Sequence, residues 1–214
     1  MAKKRPVTNL MALGVLSTVV VRDLHPYDMA RALRGWGKDQ DLPIKWGSLY
    51  TVVRNLARHG LLEEAASGRE GRRPERTVYR ITPAGRAELV DWTRELLSAV
   101  EHETPRFRAG LSVMAVLTPD EVTTLLQQRV AEVSAAITAA EEQLAAYVTE
   151  VPRLFLIEIE YDIAMLRAES TWMRSLIGEL ADGTLPGIEQ WRQFHETGRP
   201  SDDMVELAEK SLEK

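Results

Sequence analysis

Two runs of apolar residues in the second half of the chain repeat the same 4,3,4,3 spacing, and this constrains the fold more than any other feature. Leu126, Val130, Val133, Ile137, Ala140, Leu144 and Tyr147 form the first run; Ile159, Ile163, Leu166, Ser170, Met173, Ile177 and Leu180 form the second. An average step of about 3.5 residues draws one stripe along an α-helix, whereas a strand alternates with period two. Thr118-Pro119 with Glu121 opens the first helix, and Pro152 separates it from the second. Each stripe must be covered. The two can cover one another as a hairpin, but the segment from Phe107 to Leu117 and the helix containing Trp92 carry apolar faces too. That is more surface than one thin helical layer absorbs, so dimerisation through this half is expected.

The first half is punctuated differently. Leu10, Leu13 and Leu16, with Met11, Gly14 and Val15 between them, predict a helix that is apolar all round and therefore buried. His25-Pro26-Tyr27-Asp28 opens a second short helix, with Pro26 suited to its first turn and Asp28 complementing its dipole. Gly35 and Gly37 stop it, and Pro43 keeps residues 36–46 a connection. A third helix is expected from Gly47-Ser48, with Ser48 as N-cap. At about 100° per residue, Leu49, Val52, Val53 and Leu56 share one face and Thr51, Arg54 and Arg58 the other, with Tyr50 and Asn55 at the edges. Gly60 ends this helix. Strand-like pieces at 61–65 and 77–81 then flank a segment holding Arg69, Arg72, Arg73 and Arg76, which predicts a hairpin with a long basic tip. Thr82-Pro83 caps a further helix running past Trp92 towards Val100.

Charge divides the chain at the same place. Residues 1–86 hold 16 Lys and Arg against 8 Asp and Glu, net +8; residues 87–214 hold 11 against 24, net −13; the two make up the overall −5. A basic module ahead of an acidic one suits a polyphosphate partner for the first, and protein, solvent or a small ligand for the second. With no cysteine in 214 residues, a disulfide framework, a cysteine nucleophile and a thiolate zinc site are excluded. His25, His59, His102 and His195 have no partners at metal-ligand spacing, and no phosphate loop or nucleophile elbow occurs, so neither catalysis, metal nor cofactor is expected. Lys3-Lys4-Arg5 before the uncharged run 10–21 has the outline of a signal peptide. The run is too short to span a bilayer and continues into helical pattern without a cleavage site, so a cytoplasmic protein is expected.

Three helices, a hairpin and a further helix spell a winged helix-turn-helix, whose third helix enters the DNA major groove while the wing touches backbone or minor groove. The expected fold is mainly α: a winged helix-turn-helix over 1–86, a linking helix and helical dimerisation and effector domain over 87–182, and a tail over 183–214. His25-Pro26-Tyr27, Gly47-Ser48-Leu49-Tyr50, Leu61-Leu62 and Tyr79-Arg80-Ile81-Thr82-Pro83-Ala84-Gly85-Arg86 resemble the PadR family of bacterial transcriptional regulators. That family shows His-Gly-Tyr, Gly-Ser-Leu-Tyr-Pro and Tyr-x-Leu-Thr-x-x-Gly at corresponding places. Pro26 departs from the family glycine and Thr51 from the family proline, and Thr51 adds a hydroxyl to the groove-facing side.

The resemblance implies a homodimeric regulator, here expected to be a repressor on a palindromic operator, released by a small aromatic, phenolic or drug-like effector. Ser48, Thr51, Arg54 and Asn55 are expected at base edges or adjacent phosphates, with Arg54 suited to guanine and Asn55 to adenine. Lys45, Tyr50 and Arg58 would hold phosphates, while the four wing arginines supply sequence-independent attraction or a minor-groove insertion. Trp92 on the linking helix, with Phe107, Met114 and Trp172, is expected to line an effector site. The rival reading is a winged-helix module whose third helix meets an acidic protein instead of double-stranded DNA; duplex binding separates the two.

Overall fold

The computed structural model describes residues 5–38, 46–65, 77–100, 105–199 and 205–206. The chain divides into two compact units, Met1–His102 and Glu103–Lys214.

In the first unit, α1 (Leu10–Thr18) starts at Asn9, whose side chain accepts a hydrogen bond from the Met11 N–H at 2.9 Å. Met11, Ala12, Val15 and Leu16 are fully buried, so the all-round apolar helix is the centre of this core. α2 (Pro26–Gly35) is capped by His25, whose Nδ1 accepts from the Tyr27 N–H at 3.1 Å. A single 3₁₀ turn, Trp46–Ser48, leads into α3 (Leu49–Arg58). The N-cap expected of Ser48 is corrected here: its backbone is already helical, and its hydroxyl makes no capping bond to α3.

α3 buries Leu49, Val52, Val53 and Leu56. A ten-residue helix is marginal alone in water, and burial stabilises each such side chain by about 1.5–3 kcal/mol, so packing holds α3 in place. It ends at Gly60, in the left-handed conformation at φ 69°, which lets the Leu61 N–H return to the Leu56 carbonyl at 2.9 Å. β1 (Leu62–Ala65) and β2 (Val78–Ile81) pair antiparallel, with Leu62 opposite Ile81 and Ala65 opposite Val78. Leu24 adds a two-bond bridge to Tyr79, at 3.1 and 2.9 Å, which anchors the segment before α2 to the hairpin.

α4 (Pro83–Ser98) begins with Thr82, whose hydroxyl accepts from the Gly85 N–H at 3.0 Å and donates to the Gly60 carbonyl at 2.7 Å. One side chain thus ties the start of α4 to the end of α3. Gly85 packs so closely that a Cβ there would lie 2.1 Å from the Leu61 carbonyl oxygen. The structure groups α4 with the first unit, whereas the sequence placed this helix at the head of the second half.

In the second unit, α5 (Arg106–Ser112) and a 3₁₀ turn, Met114–Val116, precede α6 (Pro119–Tyr147). The Thr118 hydroxyl caps α6 by accepting from the Glu121 N–H at 3.2 Å. A 3₁₀ turn, Arg153–Phe155, leads into α7 (Ile157–Asp182), which stops at left-handed Gly183. The two heptad stripes meet within the chain: Leu126, Val130 and Val133 are buried on α6, and Ile163, Met173 and Leu180 on α7. Cover thins beyond Ile137, where Ala140 and Leu144 are half-buried and Tyr147 is exposed. α8 (Ile188–Thr197) inserts Ile188 and Trp191 into the same core. The Trp191 indole N–H donates to the Leu117 and Ala115 carbonyls at 2.9 and 3.2 Å, so this part of the tail is docked, although its sequence suggested no role. Among the described residues no helix is long and apolar enough to cross a membrane.

Candidate nucleic-acid interface

The face of α3 turned away from the core carries Thr51, Arg54 and Arg58, all exposed, with Tyr50 exposed and Asn55 half-buried at its edges. This division follows from the buried stripe alone, because residues at 49, 52, 53 and 56 leave about half the helix circumference to water. Tyr50 meets the His25 ring edge-on at 6.2 Å, so the cap of α2 touches the entrance of α3. Arg58 donates to the Asn55 side-chain oxygen three residues earlier. The Asn55 carboxamide is therefore already half engaged. Ser48 is half-buried at the start of this face. Lys45 and the wing arginines Arg69, Arg72, Arg73 and Arg76 lie outside the described residues.

Electrostatics link α3 to the hairpin. Burial pushes the Tyr79 phenol above its ordinary pKa and Glu64 adds to the rise, while the positive charge of Arg54 acts against it. At the hairpin base, Arg80 makes a two-pronged bond with Asp23 at 3.1 and 2.7 Å, and this partner holds its guanidinium above the usual range. The charge of Arg80 is thereby matched, and Glu63 and Glu64 stand exposed on β1. The described part of the hairpin is not basic in itself.

One cation that the sequence reading left unassigned is Arg5. Its guanidinium bonds both Glu88 and Glu95 of α4 and lies 5.2 Å above the Trp92 ring centroid, with only 6% of its side chain exposed. Burial alone would lower its pKa; the hydrogen bonds to Glu95 and Glu88 outweigh this and raise it. Seven-residue spacing places Glu88 and Glu95 on one face of α4, and that pairing was the available signal.

The aromatic set expected to line an effector site is distributed between the units. Trp92 is 5% exposed within the core of the first unit. Phe107 and Trp172 belong to the second, where their rings meet edge-on at 6.3 Å, and Met114 packs on that unit's core. Arg129 lies 4.1 Å above the Phe107 ring while bonding Glu169 at 2.7 Å. Among the described residues no group of three His, Asp or Glu is placed to hold a metal ion.

Three helices and an antiparallel hairpin, with a polar, basic outer face on the third helix, define a winged-helix domain, here followed in the chain by a helical unit. Residues 15–91 match the Transcriptional regulator PadR-like family. No curated protein matches it in sequence. Among solved structures it is similar to Bacillus subtilis PadR in complex with operator DNA, at a TM-score of 0.67 and 15% identity over 81% of this chain and 99% of that one. The same protein in complex with p-coumaric acid gives a TM-score of 0.69 at 14% identity, with 81% and 99% covered. The Vibrio cholerae virulence activator AphA gives 0.61 at 20% identity, covering 80% of this chain and 98% of its own. At these identities the likeness is one of fold.

Proposed function

We propose that this regulator acts in the cytoplasm as a homodimeric repressor, setting two copies of α3 into successive major grooves of a palindromic operator. The observation that carries the reading is the exposed face of Thr51, Arg54 and Arg58 on a helix whose opposite face is wholly buried, within the PadR-like domain. Thr51 and Arg54 read base edges there, and a guanidinium pairs bidentately with guanine. Tyr50, Arg58 and Lys45 hold phosphates, Ser48 approaches the backbone at the helix start, and Arg69, Arg72, Arg73 and Arg76 add sequence-independent attraction. Asn55 reaches adenine once Arg58 turns from it to a phosphate, which gives that intrahelical bond a meaning in the free protein.

Self-association is supported by a second stripe on α7 that the hairpin leaves uncovered. Tyr161, Met165, Ala168 and Trp172 repeat the 4,3,4 spacing on the side away from α6, and Tyr161 is 62% exposed. Two copies of this stripe bury each other. A small aromatic effector, the class represented by p-coumaric acid in the Bacillus subtilis structure, is held near Phe107, Met114 and Trp172. Trp92 of the first unit is a separate candidate, open to an aromatic ligand only where Arg5 gives up its place over that ring.

Selection of bound fragments from genomic DNA supplies the operator, and anisotropy with that duplex tests the reading. Arg54→Ala is expected to weaken specific binding by about 1–3 kcal/mol and to blur one or two base-pair preferences. Unchanged affinity and sequence preference in Arg54→Ala would remove α3 from the base edges.

A further inference from the structure

Two exposed phenols stand at the starts of neighbouring helices, Tyr27 on α2 and Tyr50 on α3, with 60% and 49% of their surface open. Half-buried His25 meets both. Its Nδ1 accepts from the Tyr27 N–H at 3.1 Å, and its ring meets Tyr50 edge-on with centroids 6.2 Å apart. One imidazole thus touches α2 through a hydrogen bond and α3 through a ring edge.

Its backbone is fixed from both sides. Leu24 exchanges two backbone bonds with Tyr79 at 3.1 and 2.9 Å, and Pro26 has a locked φ. The His25 carbonyl takes the Asp28 and Met29 N–H groups at 2.9 and 3.0 Å, Pro26 has no N–H, and the Tyr27 N–H goes to the ring. The first turn of α2 is therefore held by His25, carbonyl and side chain together. A ring nitrogen accepts a hydrogen bond only while it carries no proton, so this cap belongs to the neutral imidazole with its hydrogen on Nε2 and is lost in the imidazolium. An imidazolium would also set positive charge at the positive end of the α2 dipole. The charged and titratable groups on the surrounding elements do not repair that loss. Asp28 on α2 attracts an imidazolium but cannot return its lone pair, and Asp23 is held by Arg80 of β2. α3 brings Tyr50 and Arg54, β2 brings Tyr79, and α1 has no charged residue.

We propose that His25 is a positioning residue for DNA binding, whose neutral ring keeps the start of α2 and Tyr50 in the arrangement that meets the duplex. Binding then weakens on acidification, the reverse of what added positive charge does beside phosphates. The inference rests on the reading of α3 as the helix that faces DNA. Exposed His59, at the C-terminal end of α3, gives the opposite sign, because a proton there adds a cation where the helix dipole and phosphates both favour one. The direction of the pH effect therefore separates a capping histidine from a phosphate-binding one.

The experiment is anisotropy of the full chain on its selected duplex at about pH 7.5 and about pH 5.5, at fixed salt, a range over which an imidazole changes charge. Wild-type affinity is expected to fall about threefold or more at the lower pH, the size of effect that loss of an N-cap has on an equilibrium. His25→Asn supplies a good cap that does not titrate, and its affinity is expected to hold level or rise on acidification. His25→Ala, with no cap at either pH, is expected to bind more weakly than His25→Asn at the higher pH. Thermal melts without DNA are expected to show a smaller loss of stability on acidification in His25→Asn than in wild type. The proposal is overturned if wild type binds as well or better at the lower pH, or if His25→Asn follows the wild-type pH profile. A melt that changes while the DNA profiles coincide overturns it too, leaving His25 a structural cap alone. Failure of the α3 reading shows separately, as unchanged affinity in Arg54→Ala at the higher pH, and absence of any duplex binding there overturns both.

Discussion

Arg5 and Thr82 carry more of the structure than their positions in the chain suggest. Arg5 is enclosed by Glu88, Glu95 and Trp92, and a buried ion pair costs most when one member is removed, because the remaining charge has been taken out of water. Arg5→Ala is expected to destabilise the first unit by about 3–5 kcal/mol in urea unfolding, and Arg5→Ala with Glu88→Gln to lose less than the sum of the two single changes. Strict additivity would mean that the pair is not coupled. In sequence, Arg5 closes a short basic run with the outline of a signal-peptide start, and nothing in that run points to the two carboxylates more than 80 residues away that surround it. Thr82, by contrast, was legible: a threonine before a proline at a helix start has one economical use, and its hydroxyl makes that bond. Ser48 misled because the 3₁₀ turn before α3 takes over the entry to the helix, a local rearrangement that side-chain type alone does not reveal.

The elements of the first unit were read mainly from periodicity and punctuation, and their contacts explain why those signals sufficed. Leu49, Val52, Val53 and Leu56 had to face inwards on any helix, which fixes the outward face that carries Arg54. Gly85 is the clearest case of a family motif residue acquiring a physical reason: α4 crosses the Leu61 carbonyl too closely for any Cβ. Gly85→Ala is expected to cost about 2 kcal/mol or more, despite the better helix propensity of alanine, and to loosen the junction of α3, hairpin and α4. A gain in melting temperature instead would mean that the crossing relaxes freely. For the wing, Arg72→Ala with Arg73→Ala is expected to weaken all duplexes alike and to make the dependence of log affinity on log salt shallower by about one unit per lost phosphate contact. An unchanged slope would place those arginines away from DNA. The heptad stripes illustrate the limit of periodicity, which reports that a face must be covered but not by what: α6 and α7 cover each other, while Tyr161, Met165 and Trp172 on another face of α7 stay exposed. Trp191 could be placed with Phe194 on a short helix of the tail but given no role, because an aromatic in a glycine- and proline-rich segment has no periodic neighbours, and only the fold supplies the Leu117 carbonyl that receives its N–H.

For the whole molecule, the first unit is basic and the second acidic, and the proposed function assigns DNA to the first and self-association to the second. Under the proposed dimer, two copies joined through the second unit would present two α3 helices, and dyad-related recognition helices fit half-sites about 34 Å apart or a multiple of that. Replacing Tyr161 and Met165 by glutamate is expected to give a monomer in sedimentation at micromolar concentration that retains helix content but loses most specific DNA affinity, since two linked contacts become one. A variant that stays dimeric would move the interface off this stripe. Hydroxyl-radical footprinting on a fragment selected from genomic DNA then decides between this arrangement and any other. Two protected patches related by a dyad and about one helical turn apart, both lost in Arg54→Ala, are the expected result. A single patch, or protection that persists undiminished in Arg54→Ala, would contradict a paired reading of DNA by α3.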